Sequence, residues 1–251
     1  MKKKIIQTIE SAEIRLNRFI ANAGICSRRD ADKLILSGKI SVNDQVVRVL
    51  GTKVMATDKV TYFKKTIQSE KLQYVLLNKP KDFITTTNDP QNRRTVMTLV
   101  KKACGERIYP VGRLDRYTTG LLLLTNDGDL AKRLTHPKHK IKKVYQLKID
   151  KPIIEAHYNA VLAGVQLDDG LASIDQLAIL TEDRKSLGIE IHIGKNRIVR
   201  RIFEKYGYEV LKLDRVMFGS LTKQNLPRGK WRFLNPKEVE NLKGKFSMRT
   251  K

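Results

Sequence analysis

Apolar and polar positions along the first sixty residues repeat with the periods of two short helices and a few strands. The first helix is predicted by an apolar face at i, i+3, i+4 and i+7, made of Leu16, Phe19, Ile20 and Ala23. A second apolar face over residues 31–35 follows Ser27, which has capping-box spacing to Asp30. Short strands are predicted around the Asn43-Asp44 turn and near 59–63. The pattern therefore predicts a small module over 14–63, preceded by a basic arm over 1–13.

A larger domain is predicted over residues 73–238, after a polar, unpatterned stretch over 64–72 that is typical of a linker. Its first strand is predicted at 74–78. The wholly apolar run Leu121–Leu124 is too short to cross a membrane and indicates a strand buried on both faces. Asp129 can cap a helix through Leu134. At most a short helix is predicted after Pro236, and residues 239–251 are assigned to a basic tail.

The charge balance changes this picture from a generic fold to a polyanion binder. Lys and Arg number 50 in 251 residues against 26 Asp and Glu, which gives a formal net charge of +24. For a protein without a predicted membrane segment, nucleic acid is the commonest partner of such a charge. The start of the chain has no apolar signal segment, and Cys26 and Cys104 lack metal or disulfide spacing. We therefore expect a cytoplasmic protein that does not bind membranes.

The candidate chemistry centres on Asp115, which lies in a short polar loop just before the apolar run 121–124. Catalytic groups concentrate on loops that a rigid scaffold holds in place. Arg113 and Arg116 flank the carboxylate and could bind an anionic substrate beside it. The alternative is that Asp115 is only a turn or cap residue bonded to backbone amides. Local spacing alone leaves both interpretations open.

The stretch around Asp115 resembles a known family signature. Gly112-Arg113-Leu114-Asp115, then Thr119-Gly120 and an apolar run ending in Thr125-Asn126-Asp127-Gly128, is similar to the active-site motif of ribosomal RNA pseudouridine synthases. This resemblance implies that Asp115 is the catalytic residue. It also implies that Arg113 and Arg116 hold RNA phosphates or fill the place of a flipped base.

Two further runs resemble elements of the same family. An apolar strand leads into Asn78-Lys79-Pro80, and we count Lys79 among the RNA-binding candidates. A Lys-x-Tyr pattern ends at Tyr145, which the resemblance assigns to stack on the target base. A buried core tyrosine would look the same in the sequence. Lys142 and Lys143 precede it, either as part of a phosphate-binding run or as a solvated cluster.

The run Gly194-Lys195-Asn196-Arg197-Ile198-Val199-Arg200-Arg201 resembles the third motif of the family, except that Ile198 stands where glutamine is usual. The resemblance assigns a basic residue here to pair with the catalytic aspartate. We predict Arg200 as this third catalytic residue, with Lys195 as the second choice. Such a pair would fix the orientation of the carboxylate. Lys195, Arg197 and Arg201 are further RNA-binding candidates.

The amino-terminal module resembles the S4 RNA-binding domain, through Arg15-Leu16, Phe19-Ile20-Ala21, Ser27-Arg28-Arg29 and Ile40-Ser41-Val42-Asn43. A solvated basic face is the alternative for any single helix. The resemblance implies that this face docks on folded RNA, where phosphate contacts position the protein. The candidates are Arg15, Arg18, Arg28, Arg29, Lys33, Lys39 and Asn43.

These resemblances together imply an α+β fold. A small S4 module of the αL type precedes a catalytic domain with a mainly antiparallel mixed sheet and flanking helices. The implied reaction isomerises a uridine of ribosomal RNA, from the large subunit or its precursor particle, while a small-subunit rRNA or a tRNA target remains the alternative. We expect the protein to act as a monomer. Because the reaction is redox-neutral, no cofactor is expected. No metal site is expected at His136 and His139, because their imidazoles are separated. The rivals are a non-catalytic RNA-binding or assembly protein, and another S4-bearing enzyme such as a methyltransferase or an aminoacyl-tRNA synthetase.

Overall fold

The computed structural model describes residues 13–244, and its contacts divide the chain into two compact units that meet between Leu72 and Gln73. Residues 1–12 and 245–251, which hold most of the predicted basic arm and the end of the predicted tail, lie outside the described residues. Among residues 13–244, no helix is long and apolar enough to cross a bilayer.

The described residues of the amino-terminal unit form two helices and six short strands. They are β1 (Ile14–Arg15), α1 (Leu16–Asn22), α2 (Arg28–Leu36), β2 (Ile40–Val42), β3 (Gln45–Val46), β4 (Lys53–Val54), β5 (Val60–Tyr62) and β6 (Lys65–Thr66). Four strands form an antiparallel sheet in the order β3-β2-β5-β6, while β1 pairs with β4. The backbone N–H of Asp30 donates to Ser27 Oγ over 3.2 Å, which caps α2 as predicted.

The core of this unit is built from the apolar faces that the sequence predicts. Leu16 and Ile20 of α1 pack with Ala31 and Ile35 of α2 and with Val60 of β5. One boundary differs from the prediction, because Lys65 and Thr66 form β6 against β5. Residues 64–72 are therefore not wholly a linker. Their first part closes the sheet of the amino-terminal unit.

The second unit contains a nine-stranded sheet with helices on its faces. Its elements are β7 (Tyr74–Lys79), α3 (Val96–Val100), β8 (Tyr109–Pro110), β9 (Thr119–Thr125), α4 (Gly128–Thr135), β10 (Lys143–Ile149), α5 (Glu155–Ala163), β11 (Val165–Leu167), β12 (Gly170–Ala172), β13 (Gln176–Ile179), β14 (Ser186–Ile191), α6 (Ile198–Glu204), β15 (Val210–Phe218), β16 (Leu221–Thr222), β17 (Trp231–Phe233) and α7 (Pro236–Gly244). The strand order is β13-β14-β10-β15-β9-β7-β17, with β16 beside β15 and β8 beside β9.

All strand pairs in this sheet are antiparallel except β15 with β9, which run parallel. The predicted mainly antiparallel mixed sheet is confirmed. The small hairpin of β11 and β12 lies outside it. Asp127 rather than Asp129 caps α4, because its carboxylate accepts the backbone N–H of Leu130 at 3.0 Å.

The predicted two-faced burial of the run 121–124 is confirmed. Leu122 and Leu124 belong to a core on one face of the sheet, beneath α3, α5 and α6. Leu121 and Leu123 belong to a second core on the other face, which also receives α4 and α7. Strand β9 is therefore packed between two hydrophobic cores and is a rigid base for the loop that precedes it.

The predicted basic tail from residue 239 is wrong in its first part, because α7 continues to Gly244. Leu242 is buried in the second core. The ammonium group of Lys243 lies 3.4 Å from the Asp127 carboxylate and 5.3 Å from the centre of the Tyr74 ring. The helix therefore closes one end of the second core.

Gly120 stands where the parallel pairing brings β9 against β15. Its φ is +106°, and a Cβ atom there would lie 2.2 Å from the carbonyl oxygen of Arg215. Because the obstructing atoms belong to the backbone, they cannot move aside without separating the two strands.

We expect Gly120→Ala to lower the free energy of unfolding by at least about 2 kcal/mol, through overpacking and backbone strain. Urea denaturation measures this effect. Gly105→Ala is the control, since a Cβ at Gly105 meets nothing within 4 Å. That variant should stay within about 0.5 kcal/mol of the wild type. Equal stability of the two variants would contradict the tight crossing.

Candidate active site

Asp115 lies in the loop between β8 and β9, in a turn where the Thr118 N–H donates to the Asp115 carbonyl over 3.1 Å. The turn thus uses the main chain of Asp115 and leaves the side chain out. Within the described part of the chain, its carboxylate has no hydrogen bond or ion pair in the structure. This geometry disfavours the interpretation of Asp115 as a cap residue, because a cap would use the carboxylate oxygens.

A cavity of about 280 Å³ opens beside this carboxylate. Its walls come from the Asp115 loop, from β10, from the segment before α6 and from β15. The lining residues are Gly112, Arg113, Leu114, Asp115, Thr118, Tyr145, Gly194, Lys195, Asn196, Arg197, Ile198, Val199 and Leu213. Sites for small ligands range from about 300 Å³ upward, so the cavity suits one planar ring better than a larger group.

Tyr145 forms one wall of the cavity and is 8% exposed. It also belongs to the core on the same face of the sheet, which agrees with the interpretation as a buried core tyrosine. Its stacking on a base stays a prediction. Ile198, the departure from the family motif, is buried in this core and lines the cavity as well. The site therefore joins one carboxylate, one aromatic ring and an apolar floor.

Lys79 does not reach solvent, and its side chain is completely buried. Its ammonium group donates to the carbonyl oxygens of Thr118 at 2.8 Å, Asp115 at 3.1 Å, Pro80 at 3.2 Å and Arg116 at 3.3 Å. Burial lowers the pKa of Lys79 to about 8, while the negative charge of Asp115 acts in the opposite direction. The prediction that Lys79 contacts RNA is therefore wrong for this geometry. Lys79 holds the Asp115 loop from below.

Thr85 holds the same loop from its other side. Its hydroxyl group donates to the Leu114 carbonyl at 2.7 Å and accepts the Leu114 N–H at 3.2 Å. The position of the Asp115 backbone is thus set by contacts from Lys79 and Thr85, which both lie in one earlier segment of the chain.

Neither basic residue predicted to pair with Asp115 forms that ion pair. Arg200 donates through Nη1 to the Val210 carbonyl instead. Burial lowers the pKa of Arg200, followed by the charge of Arg197, while the Asp115 carboxylate raises it. Arg200 therefore interacts with Asp115 through its field rather than by contact. Lys195 lines the cavity, but its ammonium group bonds elsewhere.

The ammonium group of Lys195 bonds to the turn between β11 and β12. Lys195 Nζ donates to the carbonyl oxygens of Asp169 at 2.5 Å and Gly170 at 3.2 Å. Arg201 donates to both carboxylate oxygens of Asp169, at 2.9 and 2.7 Å. The bonds from Arg201 are the main cause that holds the pKa of Asp169 at about 2, despite some burial. Asp169 thus anchors the segment that forms one wall of the cavity.

The remaining basic candidates near the cavity differ in how accessible they are. Lys143 is turned inward and donates to the His192 carbonyl at 2.8 Å, and burial lowers its pKa to about 8. It is therefore not part of a phosphate-binding run. Lys142 lies 2.6 Å from Glu190 with most of its side chain exposed. Arg113 and Arg116 are exposed, and Arg197 lies 3.1 Å from Glu204.

The amino-terminal candidates lie in a separate unit and are mostly exposed. Arg15, Arg28, Arg29, Lys33 and Lys39 are exposed, and Arg18 is half-buried. Asn43 is committed to the turn after β2, where its side chain donates to Asp58 at 3.0 Å and accepts the N–H of Lys59 at 3.0 Å. Asn43 is thus a turn residue in this structure rather than a free contact for RNA.

Within residues 13–244, no group of three or more His, Cys, Asp or Glu side chains is arranged to hold a metal ion. The absence of a cofactor stays a prediction. Sequence reasoning missed Asp169 and Thr85, since neither belongs to a motif and their partners lie far away in the chain. It assigned Lys79 to the wrong surface because a motif lysine gives no signal of its burial.

Comparison with known proteins matches both units. Residues 73–205 match the family model described as RNA pseudouridylate synthase, and residues 14–60 match the S4 domain. A Bacillus subtilis (strain 168) protein named ribosomal large subunit pseudouridine synthase B is 40% identical, covering 91% of this chain and 95% of the relative. An Aquifex aeolicus (strain VF5) protein, named as an uncharacterized RNA pseudouridine synthase, is 39% identical over 92% and 94%. A crystal structure of a pseudouridylate synthase aligns with a TM-score of 0.65 at 27% identity, over 91% of this chain and 99% of the other.

We expect Lys79→Met to lower the free energy of unfolding by about 3 kcal/mol, because buried carbonyl groups of the Asp115 loop lose their donor. Urea denaturation checks this. Lys102→Met removes the same charge from an exposed site and should change stability by no more than about 0.5 kcal/mol. If both variants were equally stable, the loop would not depend on Lys79.

We expect Asp169→Asn to speed amide hydrogen exchange at residues 195–198, because Lys195 and Arg201 lose a charged acceptor. The control, Asp168→Asn, removes the adjacent charge and should leave this exchange unchanged. The pKa of Asp169 is about 2 in the folded protein against 3.8 in the unfolded chain, so its ionised carboxylate stabilises the folded state above pH 4. The extra stability of the wild type over the Asn variant should therefore disappear as the pH falls to about 2. Protection factors at residues 195–198 that depend neither on pH nor on the substitution would contradict the anchor.

Proposed function

The chain belongs to the RNA pseudouridylate synthase family and carries an S4 domain, and we propose that it converts a uridine of large-subunit ribosomal RNA to pseudouridine with Asp115 as the catalytic carboxylate. The observation that carries this proposal is the Asp115 side chain, which faces a ring-sized cavity beside Tyr145 and is not consumed by contacts with described residues. A purely structural loop would have no need of such a carboxylate.

The reaction is an isomerisation. The N1–C1′ glycosidic bond breaks, the uracil ring turns, and a bond forms between C5 and C1′. The hydrogen at C5 leaves as a proton, and N1, which has lost its bond to the sugar, gains one. The atoms and electrons balance without an oxidant, a reductant or a group donor. The chain therefore has to supply a carboxylate near the sugar, a flat surface for the ring, and walls that retain the detached uracil.

Each of these tasks falls to a residue of the cavity. The Asp115 carboxylate either attacks C1′, attacks C6 or assists in removing the C2′ proton. The Tyr145 ring stacks on the uracil, and the apolar side chains of Ile198 and Leu213 enclose it. The half-buried Arg200 is near enough to interact with the Asp115 carboxylate through its charge. Arg113 and Arg197, which line the cavity, bind phosphates together with the exposed Arg116 beside Asp115 in the chain.

The target nucleotide has to leave its stack to reach this cavity, which costs a few kcal/mol. Unpaired loops reduce that cost, and proteins that read RNA favour them. The net charge of +24 supports an RNA partner. The exposed basic residues of the S4 domain support an RNA partner. The name of the Bacillus subtilis relative supports ribosomal RNA of the large subunit. We propose that the protein acts in the cytoplasm, as a monomer and without a cofactor.

We expect Asp115→Asn to reduce turnover by at least about a thousandfold, because it replaces the reactive carboxylate by an uncharged amide of similar shape. RNA binding should persist. The substrate is large-subunit rRNA labelled with tritium at uracil C5, extracted from cells that lack this gene. Pseudouridine formation releases the C5 tritium to water. This release is measured on free rRNA and on subunit particles.

Asp168→Asn is the matched control, since it removes one carboxylate outside the cavity and should release tritium at the wild-type rate. Release by the wild type and the control alone would support the proposal. If the wild type released no tritium from any substrate but still bound RNA, the chain would be a binding or assembly protein instead.

A further inference from the structure

Half of one sheet face in the second unit is not covered by a hydrophobic core. The second core lies over β7, β9 and the end of β15, through Leu76, Leu121, Leu123 and Phe218. Within the described residues, no side chain of β10, β13 or β14 belongs to it. On this bare half, Gln146 and Lys148 of β10 point away from the first core and are exposed.

A groove of about 720 Å³ runs over the bare half-sheet. It is lined by four cations, Lys81, Lys148, Lys212 and Arg228, and by one carboxylate, that of Asp214. This carboxylate is already neutralised, since it accepts hydrogen bonds from Arg228 at 2.7 Å and from Thr119 at 2.7 Å, and pairs with Lys223. The groove therefore presents an excess of positive charge to solvent.

The strongest sign of an anionic ligand is a pair of lysines on neighbouring strands. Lys148 of β10 stands directly opposite Lys212 of β15, and both are exposed. Like charges that face each other across a sheet are destabilising. Neither lysine forms an ion pair within the described part of the chain; Lys148 acts on Asp183 only through its field. A phosphate bound between the two would relieve the repulsion.

The groove begins at Tyr117, two residues after Asp115. The Tyr117 ring is 52% exposed, and the cationic groups of Arg116 and Lys81 lie 5.4 and 5.5 Å from its centre. Large exposed aromatic rings flanked by cations are the usual platforms for unstacked bases. The position of the ring connects the groove to the loop that carries Asp115.

We propose that this groove binds the RNA strand adjoining the target nucleotide, with its phosphates on Lys148 and Lys212 and one base on Tyr117. The inference rests on the proposed function only in naming the RNA, because the groove is separate from the cavity beside Asp115. The excess of cations favours a nucleic acid strand over a protein surface, and the exposed ring suits a base.

The test compares binding of a large-subunit rRNA transcript by filter retention over a series of salt concentrations. Lys148→Gln/Lys212→Gln should weaken binding and lower the slope of log K against log salt by about 1.4, since each phosphate contact on a single strand contributes about 0.7. Lys132→Gln/Lys237→Gln removes the same charge from exposed sites on α4 and α7 and should keep the wild-type slope. Tyr117→Leu should weaken binding roughly tenfold, whereas Tyr117→Phe keeps the ring and the affinity.

Folding of the groove variant is checked by thermal unfolding. Because it removes cross-strand repulsion, it should be at least as stable as the wild type. Equal affinity and salt slope for the groove variant and the wild type would overturn the proposal and make an acidic protein surface the occupant to test. Equal losses in both double variants would also overturn it, since net charge alone would then explain binding.

Tritium release separates this result from the proposed function. If the wild type releases tritium while the groove variants bind RNA normally, the groove proposal fails and the isomerase stands. If neither the wild type nor any variant releases tritium, but RNA binding by the groove variant depends less on salt, the groove proposal is supported and the isomerase proposal fails.

Discussion

The buried ammonium group of Lys79 is the interaction on which the geometry of the site depends. It gathers the carbonyl oxygens of Asp115, Arg116 and Thr118, which all belong to one turn. Carbonyl groups that converge without a donor would repel one another and would have to stay in water. A single cation removes both problems and fixes the turn with its main chain facing inward, so that the carboxylate of Asp115 is left for other chemistry.

The support beneath that turn comes from the sheet. Strand β9 begins directly after the turn and lies between two hydrophobic cores. At Gly120 it pairs in parallel with β15. Tyr145 on β10 and Leu213 on β15 approach the same cavity because their strands are neighbours in this sheet. The opposite wall is attached by Asp169, whose carboxylate holds Arg201 and whose carbonyl holds Lys195. The cavity is thus assembled from four separate parts of the chain, residues 112–118, 145, 194–199 and 213.

The sequence predicts those features that local periodicity or a motif encodes. The burial of Leu121–Leu124 on both faces of the sheet, the Ser27 cap and the helix faces of the amino-terminal unit all follow from spacing. The gathering of Asp115, Tyr145 and the 194–199 segment follows only from the family resemblance, because the cavity depends on strand pairing. The role of Lys79, the anchor at Asp169 and the missing pair with Arg200 could not be predicted. Each depends on whether a charged side chain turns inward, which pattern alone does not encode.

The two-sided packing of β9 also determines which partner changes shape when protein and RNA meet. A loop tied to such a strand has little freedom to close around a ligand, because any movement would disturb both cores. The RNA therefore has to supply most of the conformational change. Under the proposed function, uridines whose surroundings open easily have an advantage that requires no base-specific contact, and the local stability of the RNA becomes a determinant of selectivity.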